Sequence, residues 1–348
     1  MTSNRTPRTD PSRRPAWWRR STYALVLLLV ALAASLLVVV RPTVGGSAEA
    51  TVATGPPRFS GYFVTRKVGS WSSLPSGAAC AGRVRRSTWE PRPDNTGANH
   101  RMPSAAQVHR AFRSRPVAIG GAYKKRWDSW LLQRVTGHYT GRTDEIFQWA
   151  ACKWGISDNV LRAIAVREST WYQYDVYPSG RCVYTYSCGD LVITPDAATR
   201  TFCEVLARHG HDYQVDHGAG VCPKTFGITG VMAWQAPEWG RMPGNQNGTF
   251  PFNRDSTAFA VDYIASQLRG CYEGWEWWLD KTGSRDYGPG RLWGCVGAWY
   301  AGEWRSRDAL EYIGLVKREL RNRTWLQPGW PRDHPACHPE HGCPRGVT

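Results

Sequence analysis

The sequence predicts a mainly α-helical domain with long irregular loops, preceded by one transmembrane helix. Two capped helical patterns follow one another at 143–154 and 157–169, and further helical patterns occupy the last third of the chain. Between them lie stretches rich in Gly, Pro, Asn and Tyr without a helical or alternating period, which is typical of loops. With 348 residues, the chain is long enough to bury a sizeable core.

An apolar run near the N-terminus predicts a signal anchor. Tyr23 to Val40 holds no charged residue, and its length is near the minimum for a membrane-spanning helix. Residues 1–22 before it are rich in Arg, which predicts a cytoplasmic tail and an extracytoplasmic remainder. The alternative is a cleaved signal peptide, because Ala48-Glu49-Ala50 resembles a cleavage site. The run is longer than a usual signal-peptide core, which favours the anchor, and residues 41–57 then form a linker.

The net charge of +16 favours an anionic partner, either nucleic acid, anionic lipid or an anionic wall polymer. A basic surface that serves only solubility is an equal alternative. Nucleic-acid binding would rest on charge alone, and the predicted export signal speaks against it. We therefore expect no nucleic-acid partner, and expect the membrane to be contacted through the N-terminal helix.

All ten cysteines follow the apolar run, and an even number in an exported chain predicts disulfides. Proximity suggests the pairs Cys182–Cys188, Cys271–Cys295 and Cys337–Cys343. The 331–348 tail also contains side chains of the types that bind zinc, namely His334, Cys337, His338, His341 and Cys343. A disulfide is the favoured interpretation there, so no metal site is predicted. No P-loop, dinucleotide fingerprint or GxSxG motif is present, and no cofactor is predicted.

The helical pair at 143–169 carries the first candidate for chemistry. Thr143 or Asp144 is expected to cap its first helix, Gly155 to end it, and Ser157 to cap the second. Along the second helix a carboxylate, Glu168, continues an apolar face. The helix dipole near the C-terminus and partial burial both disfavour a negative charge, which suits a general acid. The alternative is an ordinary solvated or structural glutamate.

Further segments are predicted before and after this helical pair. Residues 58–142 are predicted to form an irregular extension packed on the main domain at 143–330. Phe226 to Trp234 is interpreted as a buried strand or loop. Further helices are predicted at 195–209, 255–270 and 306–324, with the stripe of the last one formed by Leu310, Ile313, Val316, Lys317 and Leu320.

Several short motifs occur in a fixed order. Glu168-Ser169 is followed by an aromatic residue, then by FGI-x-x-V from Phe226, STAF-x-x-DY from Ser256 and WY-A-G from Trp299. TDEI-x-QWAACKWGI, CP-x-x-FGI and GCYEGWE-x-WL accompany them. This ordered set resembles the soluble-lytic-transglycosylase and goose-type-lysozyme superfamily, in its secreted, cysteine-containing, actinobacterial form. The resemblance covers roughly residues 85–330.

The resemblance implies a lysozyme-like helical fold with a cleft for the glycan strands of peptidoglycan. Glu168 would be the single catalytic acid, and a 1,6-anhydro-muramoyl sugar would be the product. Ser169 would support the glutamate by hydrogen bonding. The cleft would be lined by Phe226, Gly227 and Ile228, and Trp299 and Tyr300 would lie near the acid.

This chain departs from the family pattern at three places. Gly230 stands where the family usually has a glutamine that contacts the glycan, and Ala260 stands where relatives tend to have asparagine. Trp299-Tyr300 replaces a common Tyr-Asn pair. A lost amide donor would weaken sugar binding by about 1–3 kcal/mol. A catalytically impaired glycan-binding protein is therefore one alternative to a lytic transglycosylase.

A hydrolytic lysozyme is the second alternative. Such an enzyme would keep a carboxylate that positions water, and Asp175 and Asp190 follow Glu168 in an irregular stretch. Turn formation is the favoured interpretation of both. Among the other aromatic residues, Trp275, Trp277 and Trp278 could form a sugar platform, although core packing is the favoured role.

Overall fold

The computed structural model describes residues 61–114, 126–173, 197–209, 212–233, 247–276, 279, 286–328 and 330. These residues belong to one compact unit that spans Val52–Thr348, and they are mainly α-helical. None of the helices in these ranges is long and apolar enough to cross a bilayer. The predicted anchor at 23–40 lies outside the described residues, as do Asp175, Asp190, Trp277, Trp278 and the tail at 331–348.

The helices, numbered in chain order, are α1 (Gly77–Ala81), α2 (Thr96–Asn99), α3 (Ala105–Ser114), α4 (Leu132–Arg134), α5 (Thr143–Trp154), α6 (Asp158–Ser169), α7 (Ala197–Arg208), α8 (Gln214–His217), α9 (Phe252–Asp255), α10 (Thr257–Tyr272), α11 (Leu292–Ala301) and α12 (Arg307–Asn322). A π-helical turn, Trp127–Leu131, leads into α4, and short 3-10 turns occur at Ser70–Ser73, Pro93–Asn95 and Thr324–Leu326. Two short antiparallel strands, β1 (Thr225–Phe226) and β2 (Val231–Met232), form a hairpin in which Phe226 lies opposite Val231.

The predicted helical pair is confirmed as α5 and α6. Gly155 ends α5 with φ of 58°, a conformation that glycine adopts without a steric penalty. The predicted cap of α5, Thr143 or Asp144, is wrong, whereas Ser157 does hold the predicted cap position of α6. Arg142 precedes the first helical residue, and its N–H donates to the Glu145 carboxylate at 3.3 Å. Ser157 precedes α6, but its side chain makes no capping hydrogen bond.

The other predicted helices in the described ranges are also present. Ser256 caps α10 by accepting from the N–H of Phe259, and Ser306 caps α12 by accepting from the N–H of Ala309. The predicted apolar stripe of α12 is wrong at Leu310, which is half exposed. Ala309, the residue before Leu310, packs against α11. The backbone of Ala309 can come this close because Gly297 of α11 has no side chain.

The core lies between α5, α6, α10 and α11, and it is rich in tryptophan. Trp275 is buried there with its ring edge against Trp71 and Trp130, as core packing requires. A second, smaller core joins α7 to the hairpin. The predicted disulfide Cys271–Cys295 is confirmed, and it links α10 to α11.

Two further disulfides were not predicted from spacing. Cys80–Cys152 ties α1 of the extension to α5 across 72 residues of chain, and Cys203–Cys222 closes the segment after α7. Cys80 and Cys152 become neighbours only through packing of the chain, whereas Cys203 and Cys222, 19 residues apart, are closer in sequence than the predicted pair Cys271–Cys295, which is 24 residues apart. The predicted pairs Cys182–Cys188 and Cys337–Cys343 lie outside the described residues.

A buried ion pair joins α5 to α10. Lys153 Nζ lies 2.7 Å from Asp262 Oδ2, and both side chains are almost fully buried. Asp262 also accepts hydrogen bonds from Trp154 Nε1 and from the backbone N–H groups of Thr136 and Gly137. Burial lowers the pKa of Lys153, while the nearby Asp262 favours its charged form.

Replacing Asp262 by asparagine should lower the free energy of unfolding by about 3–5 kcal/mol, because a buried ammonium loses its counter-charge. Urea unfolding at neutral pH measures this change. Asp286→Asn is the control, since Asp286 pairs with Arg305 on the surface, where such pairs contribute about 0–1 kcal/mol. Equal losses from the two substitutions would contradict a special role of the buried pair.

Candidate functional site

Glu168 lies in the last turn of α6, with its side chain partly exposed. The helix ends immediately after it, because Thr170 adopts a left-handed conformation with φ of 55°. The upstream residues of α6 are almost all buried, including Leu161 and Ile164 on the face that Glu168 continues. The carboxylate is thus carried by a rigid element and emerges at the edge of the core.

Tyr312 on α12 donates a hydrogen bond from its hydroxyl to Glu168 Oε1. Its side chain is 4% exposed. Burial, and secondly the nearby Glu168 carboxylate, raise the pKa of Tyr312 well above 10.0. The phenol therefore stays protonated and serves as a neutral hydrogen-bond donor. It occupies one oxygen of Glu168 and fixes the orientation of the carboxylate.

Tyr312 was not singled out from the sequence. It lies one helical turn after Ala309 and one before Val316, both fully buried, so its position is that of an ordinary core residue. The available signal was a tyrosine hydroxyl within a predicted helix, at a position outside its predicted apolar stripe. A buried tyrosine hydroxyl usually requires a polar partner, but the sequence does not say which one.

Trp299 and Tyr300, which were both predicted to lie near Glu168, have different surroundings in the structure. The ring of Tyr300 stacks on that of Tyr312, with centroids 4.5 Å apart and planes at 2°, and Tyr300 is 59% exposed. Trp299 lies on another face of α11, with its ring edge toward Tyr263 of α10. Tyr300 is therefore a largely exposed aromatic residue near Glu168, whereas Trp299 packs against α10.

The hairpin loop between β1 and β2 lies against Glu168. Gly227 and Gly230 both have positive φ, at 81° and 61°, and the N–H of Gly230 donates to the Gly227 carbonyl at 3.0 Å. Ser169 Oγ donates to the carbonyl of Ile228 at 2.9 Å. Ser169 thus anchors the hairpin loop to the end of α6. This hydrogen bond goes to the loop next to Glu168, whereas the resemblance implied one that supports the glutamate itself.

Gly230 is next to the second oxygen of Glu168. A Cβ atom built on this glycine would overlap with Glu168 Oε2. A glutamine at position 230 would therefore meet the carboxylate where it now stands. Glu168 can therefore hold its present position only because residue 230 has no side chain. The same glycine also lacks the amide donor that a glutamine would provide.

The side chains of Phe226 and Ile228 are largely enclosed. Phe226 packs against Tyr213 and Phe250 in the smaller core, and Ile228 is fully buried in the main one. These two side chains anchor the hairpin loop in the two cores. Ala260 is also fully buried, and its Cβ faces Gly227. An asparagine at position 260 would place its amide among core atoms.

Gln173 is a second residue that the sequence did not single out. Its Nε2 donates to the carbonyls of Asn253 and Arg254 on α9 at 2.8 Å each, and its Oε1 accepts from the N–H of Ile228 at 3.1 Å. One buried amide therefore joins the segment after Glu168 to both the hairpin loop and α9. Its position just beyond the helix gave no local signal for this role.

The site as described contains one partly exposed carboxylate, a neutral phenol donor on one of its oxygens and a glycine beside the other. No group of three or more metal-ligating side chains occurs among the residues that the structure describes. Such an arrangement can donate and accept a proton through Glu168 while Tyr312 keeps its orientation.

The buried Tyr312 hydroxyl predicts how stability depends on pH. Above about pH 10 this tyrosine ionises in the unfolded chain but not in the folded protein, so the free energy of unfolding should fall as pH rises. The contribution of one such group is about 1.4 kcal/mol per pH unit. Urea unfolding between pH 9 and 11.5 should show a shallower fall for Tyr312→Phe.

Tyr300→Phe is the matched control, because it removes the hydroxyl of the exposed ring stacked on Tyr312. It is expected to keep the wild-type slope. Identical slopes for Tyr312→Phe and the wild type would contradict the buried, un-ionised hydroxyl.

Comparison of the chain with known proteins adds no relative to this description. No protein-family model, no curated protein and no solved structure matches it.

Proposed function

We propose that this protein is a membrane-anchored lytic transglycosylase that cleaves the β-1,4 bond between N-acetylmuramic acid and N-acetylglucosamine in peptidoglycan. The observation that carries the proposal is the contact of Tyr312 with Glu168, the residue that the ordered motifs mark as the acid. The helical architecture is compatible with the lysozyme-like fold that the resemblance implies. The apolar run at 23–40 would hold the domain outside the cell membrane.

In the proposed reaction, protonated Glu168 first transfers its proton to the glycosidic oxygen. The bond from that oxygen to the muramoyl anomeric carbon breaks, and the N-acetylglucosamine side leaves with a free hydroxyl. Glu168, now a carboxylate, accepts the proton of the muramoyl 6-hydroxyl as that oxygen attacks the anomeric carbon. The new bond closes a 1,6-anhydro ring, Glu168 is protonated again, and no water is consumed.

The two oxygens of Glu168 would have separate tasks. Oε1 accepts from Tyr312, so Oε2 would carry the transferable proton. Oε2 lies beside Gly230, which has no side chain of its own to occupy that place. One carboxylate suffices because the nucleophile comes from the substrate, whereas ordinary glycoside hydrolases use two carboxylates.

The exposed part of Tyr300 would support the sugar. Aromatic rings provide a large, rigid apolar surface at binding sites. Because Tyr300 stacks on Tyr312, which donates to Glu168, a sugar bound to the exposed part of Tyr300 would lie on the same side of the domain as the acid. Glycan strands are the expected partner, and the net positive charge favours an anionic wall.

Two other functions remain as competing proposals. A glycan-binding protein without turnover is favoured by the residues at 230 and 260, which lack the amides usual in the family. A hydrolytic lysozyme would need a second carboxylate that positions water.

The direct test uses the full-length chain with intact disulfides and purified peptidoglycan sacculi. The wild type should release anhydro-muropeptides, identified by mass spectrometry. Glu168→Gln should release none, because an amide is too weak an acid to protonate the glycosidic oxygen. Binding of the variant to sacculi, measured by co-sedimentation, should be retained.

Products heavier by one water would overturn the transglycosylase in favour of a hydrolase. No product from the wild type, with binding retained, would favour the glycan-binding protein. Equal turnover by the wild type and Glu168→Gln would reject Glu168 as the acid.

Gly230 provides a second prediction. Adding a side chain there should push the Glu168 carboxylate away from its position, and a displacement of about 1 Å can lower turnover on the order of 100-fold. We expect Gly230→Ala to lose turnover to this extent. Gly230→Gln should also lose it, although it restores the residue usual in the family.

Gly69→Ala controls for backbone strain, because Gly69 also has positive φ, at 81°, but a Cβ there would meet no atom within 4 Å. It should leave turnover near the wild-type rate. Higher turnover of Gly230→Gln would show that the lost amide matters more than the space beside Oε2.

A further inference from the structure

The turn that follows Glu168 has an unusual backbone. Thr170 and Trp171 have φ of 55° and 70°, and they are the only consecutive non-glycine residues with positive φ in the described ranges. This region is disfavoured for residues with a Cβ atom, and more so for a β-branched residue such as threonine. Such conformations persist only where the surroundings hold them, and they occur often at functional sites.

Arg92, from the 3-10 turn region of the extension, holds the first of these residues. Its Nε and Nη2 both donate to the carbonyl of Thr170, each at 2.9 Å. Its guanidinium also lies over the rings of Tyr172 and Trp330, at 4.3 and 4.8 Å from their centroids. The side chain is fully buried. A paired donor to a single carbonyl fixes the direction of that peptide group.

Asn95 holds the second residue of the turn. Its Nδ2 donates to the carbonyl of Trp171 at 2.7 Å, and its Oδ1 accepts from the N–H of Gln173 at 2.8 Å. Gln173 in turn binds the N–H of Ile228 in the hairpin loop. A continuous set of hydrogen bonds therefore runs from the extension, through the turn after Glu168, to the loop that carries Gly230.

The side chain of Trp171 is held separately. Its Nε1 donates to the carbonyl of Arg162 at 3.0 Å, and its ring packs against Phe147 and Trp325 in the core. The N–H groups of the turn bind carbonyls of α6, from Thr170 to Val166 at 3.1 Å and from Trp171 to Ala165 at 3.2 Å. The carbonyls of the same two residues are bound by Arg92 and Asn95, which are therefore the side chains that hold the turn from the extension. Removal of either residue should alter the turn while the core stays packed.

We propose that Arg92 and Asn95 are positioning residues of the Glu168 site, and that the extension completes this site. By fixing the left-handed turn they fix the position of the last turn of α6 relative to the hairpin loop. Glu168 is then placed with Oε1 at the Tyr312 hydroxyl and Oε2 next to Gly230. The part of the proposal that concerns turnover rests on the proposed function. The part that concerns the turn does not.

The test compares Asn95→Ala with Asn99→Ala in the full-length chain. Asn99 is an equally buried asparagine of the same extension, and it also donates to Thr143 Oγ1. Its other hydrogen bond goes to Glu90, and none of its hydrogen bonds given by the structure reaches the turn. The two variants should lower the melting temperature by similar amounts.

Hydrogen–deuterium exchange and kinetics should separate the two variants. Asn95→Ala should speed exchange in the peptide that covers 170–173, and should lower kcat on the order of 100-fold with KM changed less than threefold. Asn99→Ala should do neither. Arg92→Lys, which keeps the charge but not the paired geometry, should recover only part of the kcat lost in Arg92→Ala.

Unchanged exchange at 170–173 in Asn95→Ala would overturn the proposal. Equal loss of kcat in Asn95→Ala and Asn99→Ala would also overturn it, because the effect would then follow stability alone. A wild type without turnover would reject the proposed function. In that case the exchange data would still decide whether Arg92 and Asn95 hold the turn.

Discussion

Helix α5 is buried on every side although it carries four charged or amide side chains, and each of these needs a polar partner. Asp144 pairs with Arg162 of α6, and Lys153 with Asp262 of α10. An unpaired buried charge would cost several kcal/mol. The neighbours of α5 are therefore selected by polar complementarity as well as by apolar packing, and the arrangement of the surrounding helices follows from this requirement.

The extension supplies the remaining partners of α5. Glu145 accepts from Arg86 and from the N–H of Ser87, and Gln148 accepts from the N–H of Arg85. The disulfide Cys80–Cys152 fixes the same segment to the same helix. A segment with weak periodicity is thus held by hydrogen bonds, charge and a covalent link. From this position it reaches the end of α6.

The candidate site is assembled at that end from elements that contribute different properties. Helix α6 provides the carboxylate of Glu168, and α12 provides the protonated phenol of Tyr312. The hairpin provides a loop in which two glycines allow close approach to neighbouring residues. The phenol remains neutral because it is buried, so it can orient Glu168 without adding charge. A carboxylate held in a fixed orientation at the edge of the core is what proton transfer to a bound sugar requires.

The sequence by itself determined the elements and the principal candidate. Capping residues, helical period and glycine positions predicted α5, α6, α10 and α12 within a few residues, because these signals are local. The motif order selected Glu168 and Tyr300 for the same reason, since each motif is contiguous. Proximity also predicted Cys271–Cys295, which joins the ends of two adjacent segments.

Tertiary structure decided which residues surround that candidate. Tyr312 is 144 residues from Glu168 in sequence, and Asn95 is 76 residues from Trp171. The sequence placed Leu310, and not Tyr312, on the apolar stripe of α12, whereas in the folded chain Leu310 is half exposed and Tyr312 is buried. A residue's partner depends on which faces meet in the folded chain, and periodicity in one helix does not specify the face it will meet.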